Sequence, residues 1–242
     1  MLPLSETILT IVCLFVASFT QGVTGFGFGL VAMSLLPLFS NPRQASVLVG
    51  IFSLASSVSV FLSVRSCFHW RDTVLPLVGM AAGVPFGVYA LTILDEQMIR
   101  RLVAVVVLLA CYQVAKPRIA RPRPLNPFWG ILAGAMGGVL GGAFGIGGPP
   151  VIAYASFQNW EGSRYKAMLC SYFSISNSYR VVLMAVAGLI TRPVLTLGTI
   201  ALPALFLGTY VGVRAFSRLS GEGFRKAVLA TLIMLAVSLL AL

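Results

Sequence analysis

Acidic side chains are scarce in this sequence: there are six Asp and Glu among 242 residues, with a single His. The acids (Glu6, Asp72, Asp95, Glu96, Glu161 and Glu222) all stand at the ends of apolar segments or in the connectors between them. No carboxylate is placed inside an apolar span to ligate a cation or relay a proton, which removes the usual machinery of a metal-cation transporter. The four cysteines, Cys13, Cys67, Cys111 and Cys170, are widely spaced without a CxxC pair, and His69 stands alone beside Trp70. No metal site is expected, and the thiols read as small apolar fillers. HExxH, a P-loop and a nucleophile elbow with its partners are also missing, so neither an enzyme nor an ATP-driven pump is expected, and no cofactor. No basic residue precedes Arg43. The apolar start therefore lacks the n-region of a cleaved leader and is expected to stay as a membrane segment.

What the chain does have is apolar surface. Hydrophobic residues make up 58% and charged residues 10%, against roughly 45–50% and ~25% in soluble domains. A chain of this size cannot bury that much in its own interior, so the remainder must face lipid. The net charge of +11 would suit a nucleic-acid partner in a soluble protein. Here the Lys and Arg sit in short connectors between apolar spans, as orientation signals for a bilayer protein, and no nucleic acid is expected.

Charge-free stretches place segments at 7–42, 44–64, 73–94, 102–115, 124–160, 167–191 (interrupted by Arg180), 193–213 and 227–242. A bilayer core needs roughly 20 helical residues. Segments 7–42 and 124–160 would each run about 54 Å as one helix, and both are broken by glycine. The breaks read Gly25-Phe26-Gly27-Phe28-Gly29 and Gly141-Gly142-Ala143-Phe144-Gly145-Ile146-Gly147-Gly148-Pro149-Pro150. Their likeness marks an internal repeat. Gln44-Ala45 also matches Lys166-Ala167, and Gly83 and Gly87 match Gly208 and Gly212. This gives a first membrane repeat over 1–115, a basic Pro-rich linker over 116–125 and a second repeat over 126–242.

Counting Lys and Arg tests the topology. If every segment crosses once, the two sides hold seven and nine, which is no bias. If 7–42 and 124–160 are re-entrant hairpins, twelve fall on one side, and Arg43, Arg100, Arg101 and Arg192 on the other. The positive-inside rule favours the hairpins over bent spans. The expected fold is an all-α integral membrane protein with two inverted-topology repeats, each a Gly-broken re-entrant first segment plus three transmembrane helices, as in secondary transporters.

Irregular backbone at membrane depth survives only where it is buried in protein or lines a polar cavity. After each break a half-helix is expected, at about Gly29 to Phe39 and Pro149 to Phe157. Its free N–H groups and positive dipole end suit an anion. Candidate anion-binding residues are therefore Gly27, Phe28 and Gly29 with Gly145, Ile146, Gly147 and Gly148. Arg180, the one charge well inside a span, is the candidate counter-ion. Asn177, Ser174 and Ser178 share its helix at i±3 and i±4 spacings and would donate. Against this stand blander readings: close packing for Gly22, Gly25, Gly134 and Gly138, bonds to i−4 carbonyls for the serines, and a carbonyl-capping role for Arg180.

Two Gly-broken halves, with Gly22-Val23-Thr24-Gly25-Phe26-Gly27-Phe28-Gly29 in one and Gly137 to Pro150 in the other, resemble the TauE/SafE sulfite exporter family. The resemblance implies a multi-pass carrier of the bacterial inner membrane for sulfite, an organosulfonate or another small anion such as a carboxylate. Its partners would be the anion, protons, the bilayer and further copies of the chain. Phe26 and Phe144, with Gln21 and Thr24, are then candidate gate or pocket-wall residues. A non-transporting membrane scaffold docking through the basic linker, and a channel, are the rival readings.

Overall fold

The computed structural model describes residues 4–115, 125–158, 160 and 162–216. The expected linker falls almost wholly outside the described residues, as does the last apolar segment, 227–242. The described chain is helical, without a strand. In order it forms α1 (Leu4–Thr24), α2 (Phe28–Leu35) continued by a 3₁₀ turn (Leu36–Leu38), α3 (Pro42–Val64) with a second turn (Arg65–Cys67), α4 (Trp70–Ile93), α5 (Glu96–Ala115), α6 (Pro127–Phe144), α7 (Gly148–Ser156), α8 (Gly162–Val186) and α9 (Arg192–Phe216). Among the described residues, four stretches are long and apolar enough to cross a membrane: Glu6–Thr24, Pro42–Cys67, Trp70–Ile93 and Arg192–Ala215.

Short polar side chains set where these helices begin. Asn41 accepts from the Arg43 and Gln44 N–H groups at 2.9 and 3.3 Å, ahead of Pro42 at the first helical position. Asn126 and Pro127 repeat the device at α6, where Asn126 accepts from the Phe128 N–H at 3.0 Å. Asp95 accepts from the Met98 N–H at the start of α5. Within helices, Thr10, Ser18, Thr20, Ser34, Ser59 and Ser156 return their hydroxyls to the carbonyl four residues back, which leaves none of these hydroxyls bare in an apolar setting.

Both long segments break where the glycines predict. α1 and α2 are separated at Gly25 and Gly27, whose φ angles of +82° and +96° place them in the left-handed region. α6 ends on Gly145 at φ +73°, and α7 opens with Pro149 and Pro150 in its first turn. The half-helices therefore start one residue from the expected positions, and the first finishes as a 3₁₀ turn because Pro37 cannot donate to an α-helical ladder. α8 runs through Arg164 and Lys166 instead of starting after them. A charge-free window ends at any cation, whereas Lys166 continues the helix with its side chain turned inward, 4% exposed.

The most extensive packing pairs α4 with α6 and α1 with α9, while α3 lies along α8. Glycine makes the two larger contacts close. A Cβ on Gly79 would lie 1.9 Å from the Ile131 carbonyl oxygen, and one on Gly134 would lie 1.9 Å from that of Pro76. Across α1 and α9, a Cβ on Gly208 would lie 2.5 Å from the Phe15 oxygen, and one on Gly212 2.3 Å from that of Phe19. The backbones touch, as small residues permit without a hydrophobic driving force between helices in lipid.

Candidate functional site

The two breaks meet. A Cβ on Gly29, in the first turn of α2, would lie 1.8 Å from the carbonyl oxygen of Gly145. Around this contact is a small cavity, lined on one side by Gln21 and Phe26 to Leu30, and on the other by Gly141 and Gly145 to Gly148. Ser53 of α3 and Phe173, Ser176 and Asn177 of α8 complete its wall. None of the lining side chains is acidic. Its free volume is small, about 30 Å³.

Local folding explains why polar groups face it. α2 makes its first helical bond from the Val31 N–H to the Gly27 carbonyl, at 3.0 Å. The N–H groups of Phe28, Gly29 and Leu30 come before that bond and take no backbone acceptor among the described residues. Those of Gly147 and Gly148 likewise take none, and Pro149 and Pro150 have none to offer. Two side-chain bonds fix the amides at the wall. Asn177 Nδ2 donates to Ser53 Oγ at 2.9 Å, and Gln21 Nε2 to Ser57 Oγ at 2.8 Å. Ser53 and Asn177 thus join the hydroxyl-rich stretch Ser53 to Ser59 of α3 to the polar stretch Ser174 to Arg180 of α8.

Of the candidate binding residues, Gly27, Phe28, Gly29, Gly145, Ile146, Gly147, Gly148 and Asn177 line this one cavity, with Gln21 and Phe26 from the expected wall. The others lie elsewhere. Ser174 and Ser178 return their hydroxyls to the carbonyls of Cys170 and Ser174, at 2.7 and 2.8 Å. Thr24 folds back onto Thr20 and Phe26, and Phe144 packs in the apolar core. Arg180 is 1% exposed and stands behind Gly145. Its Nε donates to the Gly142 carbonyl at 2.9 Å, and its Nη2 to Ser46 O and Oγ at 3.1 and 2.6 Å. Its Nη1 has no partner and would sit 2.9 Å from a Cβ on Gly145. The guanidinium thus caps α6 while keeping a donor beside the break, with no carboxylate to neutralise it: the one ion pair among the described residues is Arg164 with Asp72.

Sequence reasoning passed over Leu30 and Phe173 in the wall and Lys166 close behind it, while Ser53 and Ser176 belong to the two hydroxyl-rich faces it marked for an anion and Gly141 to the second break. Lys166 Nζ donates to the Gly22 carbonyl at 2.9 Å, and Cys170 Sγ donates to that of Gly25 at 3.4 Å. A signal for these was present: Lys166, Cys170, Phe173, Asn177 and Arg180 follow one another at spacings of four, three, four and three residues, which is one face of a helix.

These features define an all-helical, multi-pass membrane protein in which two glycine breaks share a buried cavity without carboxylates. The chain belongs to the TauE/SafE sulfite exporter family, whose model matches residues 10–239. It is 26% identical over 232 residues to a probable sulfite/organosulfonate exporter TauE of Cupriavidus necator, covering 92% of this chain and 89% of that protein. No solved structure matches it.

Proposed function

We propose that this protein is a secondary transporter that moves a small sulfur-containing anion, sulfite or an organosulfonate, across the bacterial inner membrane by alternating access. The observation that carries this reading is the meeting of both glycine breaks at one acid-free cavity, with uncommitted N–H groups and Asn177 around it and the orphan donor of Arg180 behind its Gly145 wall. N–H donors and a buried cation in a low-dielectric setting favour an oxyanion and disfavour a metal cation. The C. necator relative's description supports the substrate class.

Inverted halves with hairpin first segments are part of this proposal. Asp72 and Arg164 bond at 2.7 and 2.8 Å, so the starts of α4 and α8 share one face. A single crossing by 124–160 would put them on opposite faces. Glu6 and Thr10 of α1 gather with Gln44 of α3 and Pro193 of α9 around a second cavity, which supports a hairpin for 7–42 in the same way. The pairing of α1 with α9 and of α4 with α6 is what exchange of two equivalent halves would produce. On this reading the Asp72–Arg164 pair closes one face, and the cavity beside Glu6 opens towards the other. The central cavity, with about 30 Å³ of free volume, must widen to load an anion.

The test is uptake of labelled sulfite and sulfoacetate into proteoliposomes, with a carboxylate of matched size as the comparison. Saturable flux of a sulfur anion, accelerated by the same anion on the opposite side, is the expected result. Flux that does not saturate would indicate a channel, and no flux would end the transporter reading.

A further inference from the structure

Each glycine break is met by a buried cation of α8. At the second, Arg180 bonds the Gly142 carbonyl in the last turn of α6, and its Nη1 occupies the side of Gly145 where a Cβ would go. At the first, Lys166 bonds the Gly22 carbonyl in the last turn of α1, and its Cγ would lie 2.8 Å from a Cβ on Gly25. Gly25 and Gly145 both have positive φ, +82° and +73°. The two arrangements match in detail: a cation on a late helical carbonyl, with its side chain filling the hollow over a left-handed glycine. The bond also suits the partial negative charge at a helix C-terminus. Yet both cations come from one helix, fourteen residues or about 21 Å apart along it, and Phe173 and Asn177 of the cavity wall stand between them. Gln44, the counterpart of Lys166 in the first repeat, lines the other cavity instead.

We infer that Lys166 is a positioning residue for the anion site: by holding the end of α1 and the turn at Gly25, it fixes the direction in which Phe28, Gly29 and Leu30 present their N–H groups to the cavity. This rests on the transporter reading for its consequence but not for its geometry. Lys166 reaches from the second half of the chain to the first, so its bond also ties α8 to the break it orients. Loss of the ammonium leaves the Gly22 carbonyl without this donor and frees the turn that precedes the anion-facing amides. Substrate affinity should suffer before the rate of the conformational cycle does.

The experiment uses full-length protein in which Cys170 is the only cysteine, through Cys13→Ala, Cys67→Ser and Cys111→Ala, reconstituted with and without Lys166→Met or Lys166→Arg. Cys170 is fully buried and bonded to the Gly25 carbonyl, so its reaction with a membrane-permeant maleimide reports the same turn. The expected result for Lys166→Met is a rise of roughly tenfold in the sulfite KM with the maximal rate within about threefold, and Cys170 becoming reactive. Lys166→Arg keeps a cationic donor and should restore both. If Lys166→Met does not insert, Lys166→Gln takes its place. A neutral variant with parental KM and unreactive Cys170 overturns the inference, as does a loss of folded protein with KM unchanged. If the parent moves no sulfur anion, the transporter reading fails, and Cys170 reactivity by itself then decides whether Lys166 positions the break.

Discussion

Asn177 is the residue at which the chemistry of the cavity is most exposed to test. It is 6% exposed and bonded to Ser53 across the two halves. Asn177→Ala removes a cavity-lining amide and leaves Ser53 without its donor, so under the proposed function a rise of roughly tenfold in KM is expected with insertion unchanged. Asn177→Asp, of almost the same shape, puts a carboxylate at the proposed oxyanion site and should lower flux much further by like-charge repulsion. Flux in Asn177→Asp equal to that in Asn177→Ala would mean that the anion binds elsewhere. Gly29→Ala is the packing counterpart, because its Cβ would lie 1.8 Å from the Gly145 oxygen. It should separate the breaks, cost about 1–3 kcal/mol of stability and abolish saturable flux, read as melting temperature and uptake on the same sample. Asn177 itself was legible in the sequence, as a polar residue within helical spacing of the only cation inside a span. The inward turn of Lys166 was not, because a Lys at the edge of an apolar run reads first as a solvated end.

At the scale of elements, the α4–α6 contact depends on backbone approach. Gly83→Val should fail to reach a folded, monodisperse state, since a Cβ there would already lie 2.2 Å from the Ala135 carbonyl oxygen. Gly162→Ala, at the start of α8 with nothing within 4 Å of its Cβ, is the control and should melt like the parent. Size-exclusion profiles of the two variants separate a contact that needs glycine from glycine content in general. The repeat match of Gly83 and Gly87 to Gly208 and Gly212 gave these positions from sequence. It did not say that they pack against the first helix of the other half, because periodicity identifies a face of small residues without naming what covers it.

For the whole molecule, the Asp72–Arg164 pair is the prediction with the widest reach. It joins α4 to α8 through two bonds, with the Asp72 side chain 9% exposed. Asp72→Asn should favour opening of that face, seen as faster labelling of a cysteine introduced at Ser176 by an impermeant reagent applied there. Asp72→Arg combined with Arg164→Asp should return labelling towards the parent rate. Labelling of Ser176→Cys that does not respond to either change would remove the pair as a closure. The second cavity, between Glu6 and Pro193, predicts that reagent applied at the opposite face reaches inward past Gln44 in the parent.

The sequence by itself determined the helical membrane class, the positions of the two breaks and the family. Apolar composition, glycine at the breaks and the placing of the acids at the ends of apolar segments are properties of the sequence that no partner element can alter. Tertiary structure alone decided which of the marked residues share a cavity. Ser174 and Ser178 satisfy themselves on their own helix, Arg180 and Lys166 turn to the carbonyls of α6 and α1, and Ser53 is drawn to Asn177. A hydroxyl or a cation in an apolar setting takes the nearest acceptor that geometry allows, and which acceptor is nearest is set only when the helices have packed.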